Sequence, residues 1–158
     1  MTIDLWLFLS LLFLITIFAW KEGGAPERAV AVAIIVETAF DLSFAILVTP
    51  TPFRSVSGIV FAFDLALLLA FSSIALQANR SWPLVVAAAQ VIVACGHVVG
   101  LVGDGMQRAY WALTQLPLFV QLLALLMGAA VHRKRRKSGL NVPDWTVFDT
   151  GRQNERSA

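Results

Sequence analysis

Residues 29–76 read AVAVAIIVETAFDLSFAILVTPTPFRSVSGIVFAFDLALLLAFSSIAL. Two apolar runs, each long enough to cross a bilayer, flank Thr49-Pro50-Thr51-Pro52 and carry Glu37, Asp41 and Asp64 within them. A carboxylate near the bilayer centre costs at least a few kcal/mol, so such groups face a bundle interior, pair, or hold a proton. If the two runs fold back antiparallel about the prolines, residues whose numbers sum to about 105 share a depth. Asp41 and Asp64 meet that condition, and Glu37 lies one helical turn from Asp41 on the same face. The expectation is a short acidic ladder with Asp41 and Asp64 approaching across the hairpin and facing protein.

Composition agrees with a hydrocarbon setting. The 158 residues are 58% hydrophobic and 14% charged, and the mean hydropathy is +0.76, which describes a polytopic membrane protein. The single cysteine, Cys95, lies in an apolar run and excludes an internal disulfide. The net charge of +2 comes mainly from the end of the chain. It reads as a topology signal, and no nucleic-acid partner is expected.

Working outward, the first run, about residues 3–20, has no basic n-region and no small-residue cleavage site, so it reads as a retained helix anchored by Trp6 and Trp20. Lys21-Glu22-Gly23-Gly24-Ala25-Pro26-Glu27-Arg28 breaks it and supplies Pro26 and Glu27 to the first turn of the next helix. Helices are then expected at about 29–48, 56–76, 83–102 and 110–131, giving an all-α bundle of five transmembrane helices. Residues 132–158 form a basic tail. Ten of the twelve Lys and Arg residues fall on the side holding residues 21–28, the Arg80 turn and the tail. The positive-inside rule therefore puts the C-terminus in the cytoplasm and the N-terminus outside.

The fourth helix carries Gln90 and His97 seven residues apart, on one face. Gly96 and Gly100 form a small-xxx-small pair suited to close helix packing. Mirrored about residue 106, the fifth helix brings Gln115 level with His97 and Gln121 near Gln90. Glu37, Asp41, Asp64, Gln90, His97, Gln115 and Gln121 are thus the candidate intramembrane polar network. No lysine or arginine lies at acid depth, so protonated carboxyls, neighbouring hydrogen bonds, a water-filled cavity or an external cation are the ways to satisfy it. For His97 a hydrogen bond to Gln115 or an acid is favoured over ligation. His97 and His132 lie too far apart in depth to share one iron, so no cofactor is expected, a single-ligand pigment at His97 being the lesser reading.

The exit His132-Arg133-Lys134-Arg135-Arg136-Lys137, with Trp145 and Phe148 beyond it, offers a surface for anionic lipid or a partner. Arg80-x-Trp82-Pro83, Gln90, His97, Tyr110 and His132-Arg133 together resemble small uncharacterised bacterial multi-span membrane proteins. The resemblance covers the C-terminal half and implies a bacterial inner-membrane setting, with no activity to carry over. No metal-ligand cluster, phosphate loop or nucleophile triad is present in the sequence, so no enzyme is expected. Two classes remain: an accessory subunit or assembly factor packed among other membrane subunits, and a small proton- or ion-linked carrier using the acids.

Overall fold

In hydrocarbon a segment must satisfy its backbone N–H and C=O groups internally, and the five apolar runs do so as helices. A computed structural model describes residues 2–47, 58–102, 107–139 and 143–146. It contains α1 (Thr2–Glu22), α2 (Ala25–Leu47), α3 (Gly58–Gln77), α4 (Trp82–Val102) and α5 (Gln107–Lys137). All five are long and apolar enough to cross a membrane. The expected helices are therefore present, but α5 continues six residues past Val131. The basic run His132–Lys137 is helix rather than tail, its cations in the last turn opposing the negative end of the helix dipole. The Thr49–Pro52 link lies outside the described residues, as does Phe148.

Each of α2 to α5 turns one stripe inward. On α3 it is Asp64, Leu67, Phe71 and Ala75, and on α4 Val86, Gln90, Val93 and His97, all buried. α4 packs most extensively against α5 and next against α3, whereas α1 leans on α5 and α2. Phe40 and Phe63 stack at 3.9 Å between α2 and α3. Their numbers sum to 103, close to the register read from the sequence. Between the two ends lies a dry layer of Ile34, Phe71, Val86, Leu122 and Leu125, none more than 1% exposed.

Two glycines set helix approach. A methyl group at Gly96 would meet Leu113 Cβ at 3.0 Å, so the expected packing role of Gly96 is seen against α5. Gly100 is half-buried. A methyl at Gly128 would come 2.5 Å from the Trp82 ring, so the indole lies directly on the α5 backbone.

Candidate functional site

The polar residues gather at two levels, one on each side of the dry layer. At the level nearer the α4–α5 connection, Asp64, Gln90, His97 and Gln121 form a connected chain, and each is 4% exposed or less. His97 Nε2 lies 2.6 Å from Asp64 Oδ2, and the Tyr110 hydroxyl lies 3.4 Å from His97 Nδ1. With Nε2–H donating to the carboxylate, Nδ1 is left as the acceptor for Tyr110. Gln90 Nε2 donates to Asp64 Oδ1 and to the Asp64 carbonyl, each at 3.4 Å, while Gln121 Nε2 donates to Gln90 Oε1 at 2.7 Å. Glu37 lies beside Gln90 and is 5% exposed. From Tyr110 to Gln121 the thread covers eleven residues of α5, about 16 Å at the helical rise.

The sequence expectation holds for Gln90 with Gln121 and for His97 with an acid. It fails for Gln115, whose side chain is exposed. On α5 the inward stripe runs through Tyr110, Thr114, Pro117 and Gln121, at steps of four, three and four. Gln115 is a further 100° round the helix, so equal depth was not enough to bring it to His97. The place expected for Gln115 is taken by Asp64 and Tyr110.

Asp41 requires a second correction. Taken as a whole the residue is exposed, although its carboxyl is within electrostatic reach of both Asp64 and His97. The angle was right, since fourteen residues from Glu27 return to nearly the same side of α2. What is missing is cover: past Phe40 every described residue of α2 is exposed or half-buried. The inward stripe runs on beyond the neighbours that would bury it.

Two atoms of this level lack a partner among the described residues, Glu37 Oε2 and Gln121 Oε1. Gln121 Oε1 is an acceptor, and Glu37 Oε2 is one when its carboxyl is ionised, so in that state the network is short of donors. Both nitrogens of His97 have a polar neighbour, Asp64 at 2.6 Å and Tyr110 at 3.4 Å. No group of three His, Cys, Asp or Glu residues able to hold a metal occurs among the described residues. The groove between α4 and α5, about 390 Å³ and bounded by Ala88, Ile92, Leu113 and Pro117, is apolar and offers no chemistry.

The level at the tail end was not anticipated. Glu27, fully buried, is ion-paired with Arg80 and accepts a hydrogen bond from Trp82 Nε1 at 3.1 Å. It also reaches back to the Gly24 N–H at 2.9 Å, the capping-box geometry of a glutamate at the third helical position. Arg80 pairs in addition with Asp144, whose other oxygen accepts from the Ala25 N–H at 2.9 Å. The tail is thereby clamped to the α3–α4 turn. Thr146 N–H donates to the Gln77 carbonyl at 2.8 Å, and Trp145 bridges Ala78. Trp145, expected at a lipid or partner surface, thus docks through its backbone on its own chain. Arg133 and Arg136 pair with Glu22 at 3.8 and 2.7 Å, and Lys134, Arg135 and Lys137 are exposed.

No family model, curated protein or solved structure matches this chain.

Proposed function

We propose that this is a non-catalytic, multi-pass protein of the bacterial inner membrane, serving as an accessory subunit or assembly factor beside a larger membrane complex. The observation that supports it is the uncovered end of α2, where Asp41, an exposed residue, sits within a segment apolar enough to span. Left in hydrocarbon, that group costs about 3 kcal/mol or more. A polar group on another subunit removes the cost. Purification in mild detergent followed by mass spectrometry is expected to find a larger membrane protein retained by the wild type and lost from Asp41→Leu. A chain that purifies alone, with the same behaviour in the variant, contradicts the reading.

The orientation belongs to this reading and rests on the charge asymmetry. Reporter fusions at Ser55 and Ala158 are expected to report opposite sides, with Ala158 cytoplasmic. Both on the same side would remove the five-span topology.

A second reading, a small proton- or ion-linked carrier, is favoured by one feature: a buried carboxylate–imidazole pair at membrane depth beside acceptors that lack donors. Intramembrane ionisable groups commonly mark ion paths.

A further inference from the structure

We propose that Asp64 and His97 form a proton-exchange site open to one end of the bundle only, the end where α4 finishes and α5 begins. The proposal rests on the carrier reading for its kind of ion and goes beyond it by naming the ion, the relay and the side of access.

The ion is fixed by what surrounds Asp64. The groups directed at it, Gln90 Nε2 and His97 Nε2, are N–H donors, which suit a carboxylate that gains and loses a proton and obstruct a metal cation needing oxygen ligands. One contact deeper, Glu37 Oε2 and Gln121 Oε1 accept nothing from any described residue. These deficits are independent of the pair and are of the kind that added protons fill.

The relay is the imidazole. A proton passes from the Tyr110 hydroxyl to His97 Nδ1, and Tyr110 regains one from water. The Nε2–H bond breaks as a bond forms between that hydrogen and Asp64 Oδ2, 2.6 Å away. The ring ends as the Nδ1–H tautomer, one proton has entered and one has moved on, and no electron is transferred. Reversal resets it. The titratable groups that face the pair from its neighbours are Glu37 and Asp41 on α2 and Tyr110 on α5.

Access follows from burial. Tyr110, half-buried near the start of α5, is the member of the thread nearest that end, and the mouth of the site is placed there. Toward the tail end α2 to α5 present apolar residues past the polar ones: Ile34 after Glu37, Leu67 and Phe71 after Asp64, Val86 after Gln90, and Leu122 with Leu125 after Gln121, all buried. Thr38, whose partner is the Ile34 carbonyl of that layer, spends its hydroxyl on its own helix.

The test uses the full chain inserted in one orientation into liposomes. The pH is stepped on one side at a time, and the carboxyl and imidazole bands are followed by infrared difference spectroscopy. The signal read is the carboxyl change present in the wild type and absent from Asp64→Asn; a step on the mouth side is expected to produce it, more slowly in Tyr110→Phe, and a step on the tail side to produce none of it. That signal appearing equally from both sides, or from neither, overturns the proposal. Should Asp64→Asn not fold, Tyr110→Phe decides it through the imidazole bands, an unchanged rate being the contrary result. Net proton flux, measured in parallel, separates the two ideas. A one-sided response without flux removes the carrier reading and leaves the exchange site standing, whereas flux indifferent to Asp64→Asn does the reverse.

Discussion

Arg80→Ala is expected to lower the stability of the bundle by about 3–5 kcal/mol, the range for removing one partner of a buried ion pair. Glu27 is fully buried, and the Arg80 side chain is 7% exposed. Without the guanidinium the carboxylate of Glu27 keeps only the Gly24 N–H and the Trp82 indole. The same substitution also frees Asp144, and with it the tail segment bridged to Ala78. Lysine should recover part of the loss, because an ammonium replaces the charge but not the planar fork that reaches two carboxylates at once. Thermal or denaturant unfolding in detergent, followed by tryptophan fluorescence, measures it, and Trp82 is a reporter inside the cluster. Arg136→Ala, which breaks an exposed pair with Glu22, serves as the control at about 1 kcal/mol or less. Equal losses in the two variants would show that the Arg80 cluster is no more buried than a surface ion pair.

At the other level the expected contrast is between two replacements of one residue. Asp64→Leu removes the acceptor for both His97 Nε2 and Gln90 Nε2, leaving buried donors unpaired at about 1–3 kcal/mol each. Asp64→Asn keeps a carbonyl oxygen where the carboxylate stood and should fold almost as well as the wild type. If the thread only holds helices together, Asn also leaves partner association unchanged. If it exchanges protons, Asn folds but loses the pH response. Asp64→Asn as unstable as Asp64→Leu would mean that the charge itself, rather than the hydrogen bonds, holds α3 to α4.

Much of this arrangement was legible in the chain. Unbroken apolar runs gave five helices, and the mirror arithmetic about the turns gave the α2–α3 register seen in Phe40 and Phe63 and the pairing of Gln90 with Gln121. Depth alone did not give direction. Gln115 sits at the right level but on the exposed side of α5, and a helical wheel through Tyr110, Thr114 and Gln121 would have excluded it. Asp41 shows the opposite failure, since its direction was right and burial depended on whether a neighbour extended that far.

The Glu27–Arg80 pair was within reach of the same arithmetic. Their numbers sum to 107, which places them opposite one another across the hairpin that matched Asp41 with Asp64. Arg80 reads as a turn residue and Glu27 as a helix-start residue, so neither position by itself signals the pair. Asp144 carried no such signal. Its partners are 64 and 119 residues away in sequence, and only the folded tail brings them together.

The account turns on whether polar side chains from separate helices act as one buried unit, and a double-mutant cycle on Asp64 and His97 measures that directly. Asp64→Leu, His97→Leu and the double variant are compared with the wild type by reversible unfolding in the same detergent. A coupling energy of about 1–3 kcal/mol is expected for two groups in contact within one network. Strict additivity, with each substitution costing the same whether or not the other is present, would contradict the buried Asp64–His97 pair and the thread built on it.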